Sequence, residues 1–150
     1  MSAERLVPLV TVTDAPEPAV EAAIGGELDR YNQAHSGVTH SRPLAVVVSH
    51  PETKQVLGGA IGRTSLGLLL IDLFFLPDEL RGAGLGRRVL QLAEDEGRRR
   101  GCRTSVLYTI SFQAPGFYAR HGYRVFGEIP CDPPGTSRIF MTKALEPTRA

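Results

Sequence analysis

Short apolar runs bounded by turn residues alternate along this chain with stretches of helical period. Leu6 to Thr13 reads as a first strand, and Pro16 to Gln33 as a helix whose first turn suits Pro16 and Pro18. An interior glycine costs a helix up to about 1 kcal/mol against alanine. Gly25-Gly26 therefore predicts a break, a kink or two short helices between Ile24 and Leu28, the kind of mobile wall that suits a substrate's side. Leu44 to Ser49 is a compact strand, His50 to Lys54 is turn chemistry, and Val56 to Ser65 is the returning strand of an antiparallel hairpin. Gly58, Gly59 and Gly62 within it call for bulges or close backbone approach. Gly67 to Leu76 is almost continuously apolar, which predicts a strand buried on both faces.

From Leu85 the period changes to that of a helix. Val89, Leu92, Ala93 and Gly97 form its inner face, with Arg87, Arg88, Gln91, Glu94, Asp95 and Arg98 outside, and Gly101 ends it. Arg103 to Ile110 is the next strand, Ala114 to His121 a short helix, and Tyr123 to Glu128 and Thr136 to Lys143 the last strands, joined by the rigid loop Asp132-Pro133-Pro134-Gly135. This order indicates an α+β domain with one mixed sheet. The strands flanking the long helix form a right-handed βαβ unit and should be parallel neighbours.

A length of 150 residues gives room for one domain, 1–150, and too little for two ordinary ones. With 42% hydrophobic and 22% charged residues the chain has the composition of a folded soluble protein, and a net charge of +1 predicts no large nucleic-acid footprint. Any anion site must then be local. No run has the length of a signal peptide or membrane span, so a cytoplasmic location and no membrane partner are expected. Cys102 and Cys131 lie in no C-x-x-C pair and no ligand-spaced histidine cluster, so no metal site and no disulfide framework is expected. Arg98-Arg99-Arg100 complements the carbonyl end of a helix dipole more simply than it serves a nucleic acid.

The local anion site is Leu80-Arg81-Gly82-Ala83-Gly84-Leu85-Gly86-Arg87-Arg88, glycine-rich backbone running from an apolar strand into a helix. The first amides of a helix lack partners and sit at the positive end of its dipole, so a phosphate gains several directed hydrogen bonds there. A P-loop requires a Lys after its last glycine, and none follows Gly86. A dinucleotide fingerprint requires G-x-G-x-x-G early in a doubly wound domain, whereas this spacing is G-x-G-x-G past the middle of the chain.

Arg81-x-x-Gly84-x-Gly86 at a strand-to-helix junction, followed downstream by Gly116-Phe117-Tyr118-Ala119-Arg120-His121-Gly122-Tyr123, resembles the GNAT superfamily of N-acetyltransferases over about residues 44 to 143. The resemblance implies a GNAT-like fold: a mixed, mostly antiparallel sheet with a central parallel βαβ unit, a splayed pair of strands and helices on both faces. It implies acetyl-CoA as co-substrate. The amides of Arg81, Gly82, Ala83, Gly84, Leu85, Gly86 and Arg87 would bind its pyrophosphate, with Arg87 or Arg88 adding a charged contact. Leu73, Phe74, Phe75 and Leu76 would line the gap between the splayed strands and bond the pantetheine through their backbone. Tyr118 matches the family tyrosine that gives a proton to the departing thiolate. Where many members carry an Asn after the fifth strand, this chain has Thr109 to Pro115, and Ser111 or Gln113 would substitute; Phe112 packs on the coenzyme or lines the acceptor pocket.

The attacking amine must be neutral, so its proton needs an exit. Asp72, a lone charge in Leu70-Ile71-Asp72-Leu73-Phe74, is the candidate base, on the face of Leu70 and Phe74 by alternation; burial would raise its pKa, while a salt bridge to an Arg would make it structural. Glu79 belongs to the turn leading into the loop, and His50 and His121 face solvent. The resemblance thus implies direct transfer from acetyl-CoA to an amine, with no nucleophile. Its rivals are a non-catalytic acyl-CoA-binding module and an acyltransferase with another acyl donor or a hydroxyl acceptor. Acceptor identity depends on the first helical region, the loop at Asp132 to Gly135 and a second subunit if the chain forms a homodimer.

Overall fold

The computed structural model describes residues 5–38 and 41–146. Two compact units divide the chain, Met1–Val38 and Thr39–Ala150. In the first, α1 (Pro18–Ser36) is a single uninterrupted helix with proline in its first turn, closed by Gly37 in the left-handed region, φ 71°, whose amide donates to the Gln33 carbonyl. The expected interruption at Gly25-Gly26 does not occur. Their cost is spread over a 19-residue helix that is well formed on both sides of the pair. Leu6 to Thr13, expected as a strand, pairs with nothing among the described residues, and Pro8 within it lacks an amide to donate. No helix of the described residues is long and apolar enough to cross a membrane.

The second unit is a six-stranded sheet in the order β1-β2-β3-β4-β6-β5. Its strands are β1 (Arg42–Ser49), β2 (Val56–Ser65), β3 (Leu68–Phe75), β4 (Thr104–Ile110), β5 (Arg124–Cys131) and β6 (Thr136–Ala144). All neighbours are antiparallel except β3 and β4, the pair joined through α2 (Leu85–Arg99), as a βαβ crossover requires. The short helix α3 (Pro115–Arg120) follows β4. The glycines of β2 are there for close approach: a Cβ at Gly59 would lie 1.9 Å from the Val46 carbonyl oxygen, and one at Gly62 2.0 Å from that of Leu70.

Two features of β3 shape the open end of the sheet. First, it pairs with β4 only from Leu68 to Ile71, after which the strands part. Second, its register against β2 slips between Ile61 and Gly62, which face Leu73 and Ile71 respectively, so Asp72 is the extra residue of a bulge. The bulge overturns simple alternation: Phe74 joins Leu69 and Ile71 on the core face, rather than sharing a face with Leu70 and Asp72. Nor is β3 buried on both faces, since Leu73 and Phe75 are exposed.

The core gathers Leu44, Leu69, Ile71, Leu90, Leu107 and Met141 between the sheet and α2. Gly97 lets the helix close on β3, where an added Cβ would meet Leu69 at 3.3 Å. The inner face of α2 is Val89, Leu90, Ala93, Glu94 and Gly97; Leu92, expected inside, is exposed, and Glu94, expected outside, is buried. Arg98, Arg99 and Arg100 all pair with acidic residues of their own helix. Arg100 also donates to the Pro43 carbonyl (3.0 Å) and the Thr64 hydroxyl (3.1 Å), pinning the helix end to β1 and β2.

Candidate active site

The chain leaves β3 through a short 3-10 turn, Asp78–Leu80, which contains Glu79 as expected. Arg81 then folds back: its Nε donates to the Leu76 carbonyl at 2.8 Å and its guanidinium pairs with Asp78 at 3.2 Å. The Arg81 amide closes the turn on Asp78, so it is not free for a ligand as the sequence reading had it. Beyond it the amides from Gly82 to Arg87 donate to nothing among the described residues, and the first helical bond belongs to Arg88. Gly82 and Gly84 stand at φ 89° and 81°, with open space where a Cβ would be. Gly86 instead abuts the Phe117 ring, 3.4 Å from where its Cβ would lie.

This arc of amides opens onto a cavity of about 790 Å³ that runs from Arg81, Gly82, Gly84, Gly86 and Arg87 to the parted end of β3. Phe74, Phe75 and Leu76 line it, without Leu73, and so do Phe112 and Gln113. A second cavity, of about 200 Å³, opens at the same parting of β3 and β4 and is lined by Asp72, Leu73, Tyr108 and Arg138. Phe74, Gln113 and Tyr118 border both. Both cavities thus border the gap between the strands, the larger lined by the glycine loop and the smaller by Asp72 and Arg138.

Tyr118 is buried against Phe74 and Phe117, with ring centroids 6.0 and 5.2 Å away. That burial pushes its phenol up to about 12, so it carries its proton throughout the neutral range. Its place is fixed from behind. The Tyr123 amide donates to the Tyr118 carbonyl at 3.0 Å, and the Tyr123 ring meets Tyr118 edge-on at 5.9 Å. The Tyr123 hydroxyl in turn donates to Glu94 at 2.9 Å and lies 2.8 Å from the Ser105 hydroxyl, while Lys143 Nζ lies 2.8 Å from the other Glu94 oxygen. Glu94 and Tyr123 were not picked out by sequence reasoning as supports of the site. The signal was present, since position 94 follows Ala93 on the face that Leu90 and Gly97 define.

Asp72 is half-exposed, and Arg63 is its partner at 3.6 Å, which answers the salt-bridge alternative; burial, the condition for a strengthened base, is absent. Gln113 Oε1 accepts from the Thr109 hydroxyl and the Ile110 amide, leaving its NH₂ group for the cavities. Ser111 lines neither cavity, because its hydroxyl accepts from the Ser137 amide at 3.0 Å and ties β4 to β6. Ala83 and Leu85 supply backbone to the arc without lining it, and Arg88 stands outside. His121 was expected in solvent but packs on Phe117 at 4.6 Å, with its ring Nδ1 2.8 Å from the Phe117 carbonyl, and borders the larger cavity beside Arg120. His50 sits in the turn after β1, where its Nδ1 accepts from the Glu52 and Thr53 amides. Cys102 is buried and its thiol is pushed up by that burial, so it is no nucleophile.

Residues 42–125 match the family described as acetyltransferase (GNAT) domain. A blasticidin-S acetyltransferase of Streptomyces morookaense is 36% identical over 91% of this chain and 96% of its own length. Among solved structures, an acetyltransferase of Agrobacterium tumefaciens superposes with a TM-score of 0.79 at 30% identity, covering 91% of this chain and 99% of that one. An acetyltransferase of Bacillus cereus superposes with a TM-score of 0.71 at 29% identity, covering 90% and 98%.

Proposed function

Because the chain belongs to the GNAT family of acetyltransferases, we propose that it moves the acetyl group of acetyl-CoA directly onto an amine, in a ternary complex and with no covalent enzyme intermediate. One observation carries this reading: unpaired amides from Gly82 to Arg87 open onto the cavity that reaches Tyr118 through the parting of β3 and β4. The loop suits a pyrophosphate by charge and by the absence of side chains at Gly82 and Gly84. Arg87 and Arg120 stand beside it as further cations for the phosphates. The edge of β3 beyond Ile71 has lost its ladder to β4, so its backbone is available to an extended pantetheine chain.

In the proposed reaction the amine nitrogen attacks the thioester carbonyl carbon, the carbon–sulfur bond breaks, and the sulfur takes the bond pair. Tyr118 holds its proton against that growing charge. A phenol at about 12 is a weak acid toward a thiolate whose thiol titrates near ~8.5. The transfer is therefore complete only when the proton lost by the nitrogen replaces the one given to sulfur, and the net change is an amine proton moved to the thiol. Asp72, at the rim of the smaller cavity, draws the ammonium form in and passes its surplus proton to solvent.

The experiment is a thiol-release assay with acetyl-CoA and a panel of amines, blasticidin S among them because the Streptomyces relative is named for it. Release that depends on an amine supports the reading. Binding of acetyl-CoA with no release across the panel supports a non-catalytic acyl-CoA-binding module instead, and release with longer acyl chains or alcohols alone redefines donor or acceptor.

A further inference from the structure

We propose that the smaller cavity accepts an amine that also bears an anionic group, with Arg138 taking the anion and Asp72 the ammonium end; the proposal rests on the acetyl-transfer reading and names its acceptor class. Arg138 and Asp72 are the charged residues lining this cavity of about 200 Å³, and the rest of the lining is apolar or neutral. They belong to strands on either side of β4, since β6 pairs Arg138 with Ile110 and β3 carries Asp72 just past Ile71, the partner of Leu107. Two strand spacings amount to roughly 10 Å, and the parting of β3 from β4 beyond Ile71 widens that separation. An acceptor reaching both thus holds its amine and its anion several bonds apart.

Neither charge is held by a hydrogen-bonded ion pair among the described residues. Arg81, Arg98, Arg99 and Arg100 are each held by a carboxylate, whereas Arg138 has none among the described residues. Its guanidinium carbon lies 4.8 Å over the Tyr108 ring. Stacking of this kind fixes the plane of the guanidinium while leaving the N–H donors of its edge for a carboxylate or phosphate. The Asp72 contact with Arg63, at 3.6 Å, is too long for a hydrogen bond, so an ammonium group competes well for that carboxylate. Arg63, outside the lining but beside Asp72, adds a second positive charge next to the cavity, which favours an acceptor with an anion in addition to its amine. Arg138 is also absent from the larger cavity, where Arg81, Arg87 and Arg120 stand, so it is not spent on the coenzyme phosphates. Tyr108 and Leu73 in the lining offer apolar surface to the body of the acceptor.

The test compares an aminomethylbenzoate with its neutral aminomethylbenzamide as acceptors in the thiol-release assay, for the parent chain, Arg138→Ala and Asp72→Asn, with acetyl-CoA binding measured separately by calorimetry. The parent should favour the carboxylate in kcat/KM by about tenfold, the scale of a partly exposed charged hydrogen bond. Arg138→Ala should bring that ratio to near one through KM while acetyl-CoA binds as before, and Asp72→Asn should raise KM for both probes. A parent that does not discriminate, a ratio that survives Arg138→Ala, a KM indifferent to Asp72→Asn, or no turnover of either probe by a chain that binds acetyl-CoA overturns the proposal. Failure of the parent to bind acetyl-CoA would instead remove the acetyl-transfer reading beneath it.

Discussion

Tyr118 bears the heaviest demand of any residue, because it must be held firmly by its neighbours and still border both cavities. Both conditions hold, and they yield separate expectations. Tyr118→Phe should lower kcat by roughly 10²–10⁴-fold, the range of a positioned general acid, while acetyl-CoA affinity in calorimetry changes little. A loss confined to affinity would make the tyrosine a packing residue. The second expectation concerns pH. The folded chain holds the Tyr118 proton up to about 12, whereas an unfolded tyrosine titrates near ~10. The stability from this group is therefore complete below the lower value and is lost as pH rises through the interval to the higher one. Urea unfolding followed between about pH 9 and 11 should show a decline that is shallower in Tyr118→Phe. Part of the decline should remain, since Tyr123, raised by burial and by Glu94, acts with the same sign.

Helix α2 does two jobs at different points along its length. Its start presents the amides of the loop, and its middle carries Glu94, which through Tyr123 steadies the turn behind Tyr118. Removing the carboxylate leaves the partly buried Lys143 ammonium without its ion-pair partner and the Tyr123 hydroxyl with Ser105 alone. Glu94→Ala should then cost about 3 kcal/mol in urea unfolding, and Glu94→Gln, which keeps an acceptor for the hydroxyl, distinctly less. Leu90→Ala, on the same helix and fully buried, should cost about 2–5 kcal/mol. Equal losses for Glu94→Ala and Glu94→Gln would show that the hydrogen bonds behind Tyr118 contribute little.

Across the whole molecule, what was legible in the sequence is what local chemistry decides. The βαβ unit, the hairpin, the glycine loop and the tyrosine helix follow from periodicity and turn residues, and the structure has them where the pattern puts them. What escaped depends on partners distant in the chain. The bulge at Asp72 is a mismatch of register with β2, so alternation along β3 alone misplaces Phe74. The burial of Glu94 is decided by Tyr123, Ser105 and Lys143, none of them near it in sequence. Ser111 looked available to a ligand until β6 took its hydroxyl. Gly25-Gly26 looked like a break because propensity prices each residue separately, whereas helix formation is cooperative.

If the backbone arc ending in α2 holds a diphosphate, calorimetric titration of acetyl-CoA will separate the parent chain from Gly84→Glu. Gly84 has open space around it, so the variant bears only the strain of a side chain at positive φ, about 1–2 kcal/mol, and circular dichroism should show it folded. The parent should bind and the variant should lose at least tenfold in affinity, because its carboxylate meets the phosphates in the arc. Equal affinities would contradict diphosphate binding by the arc.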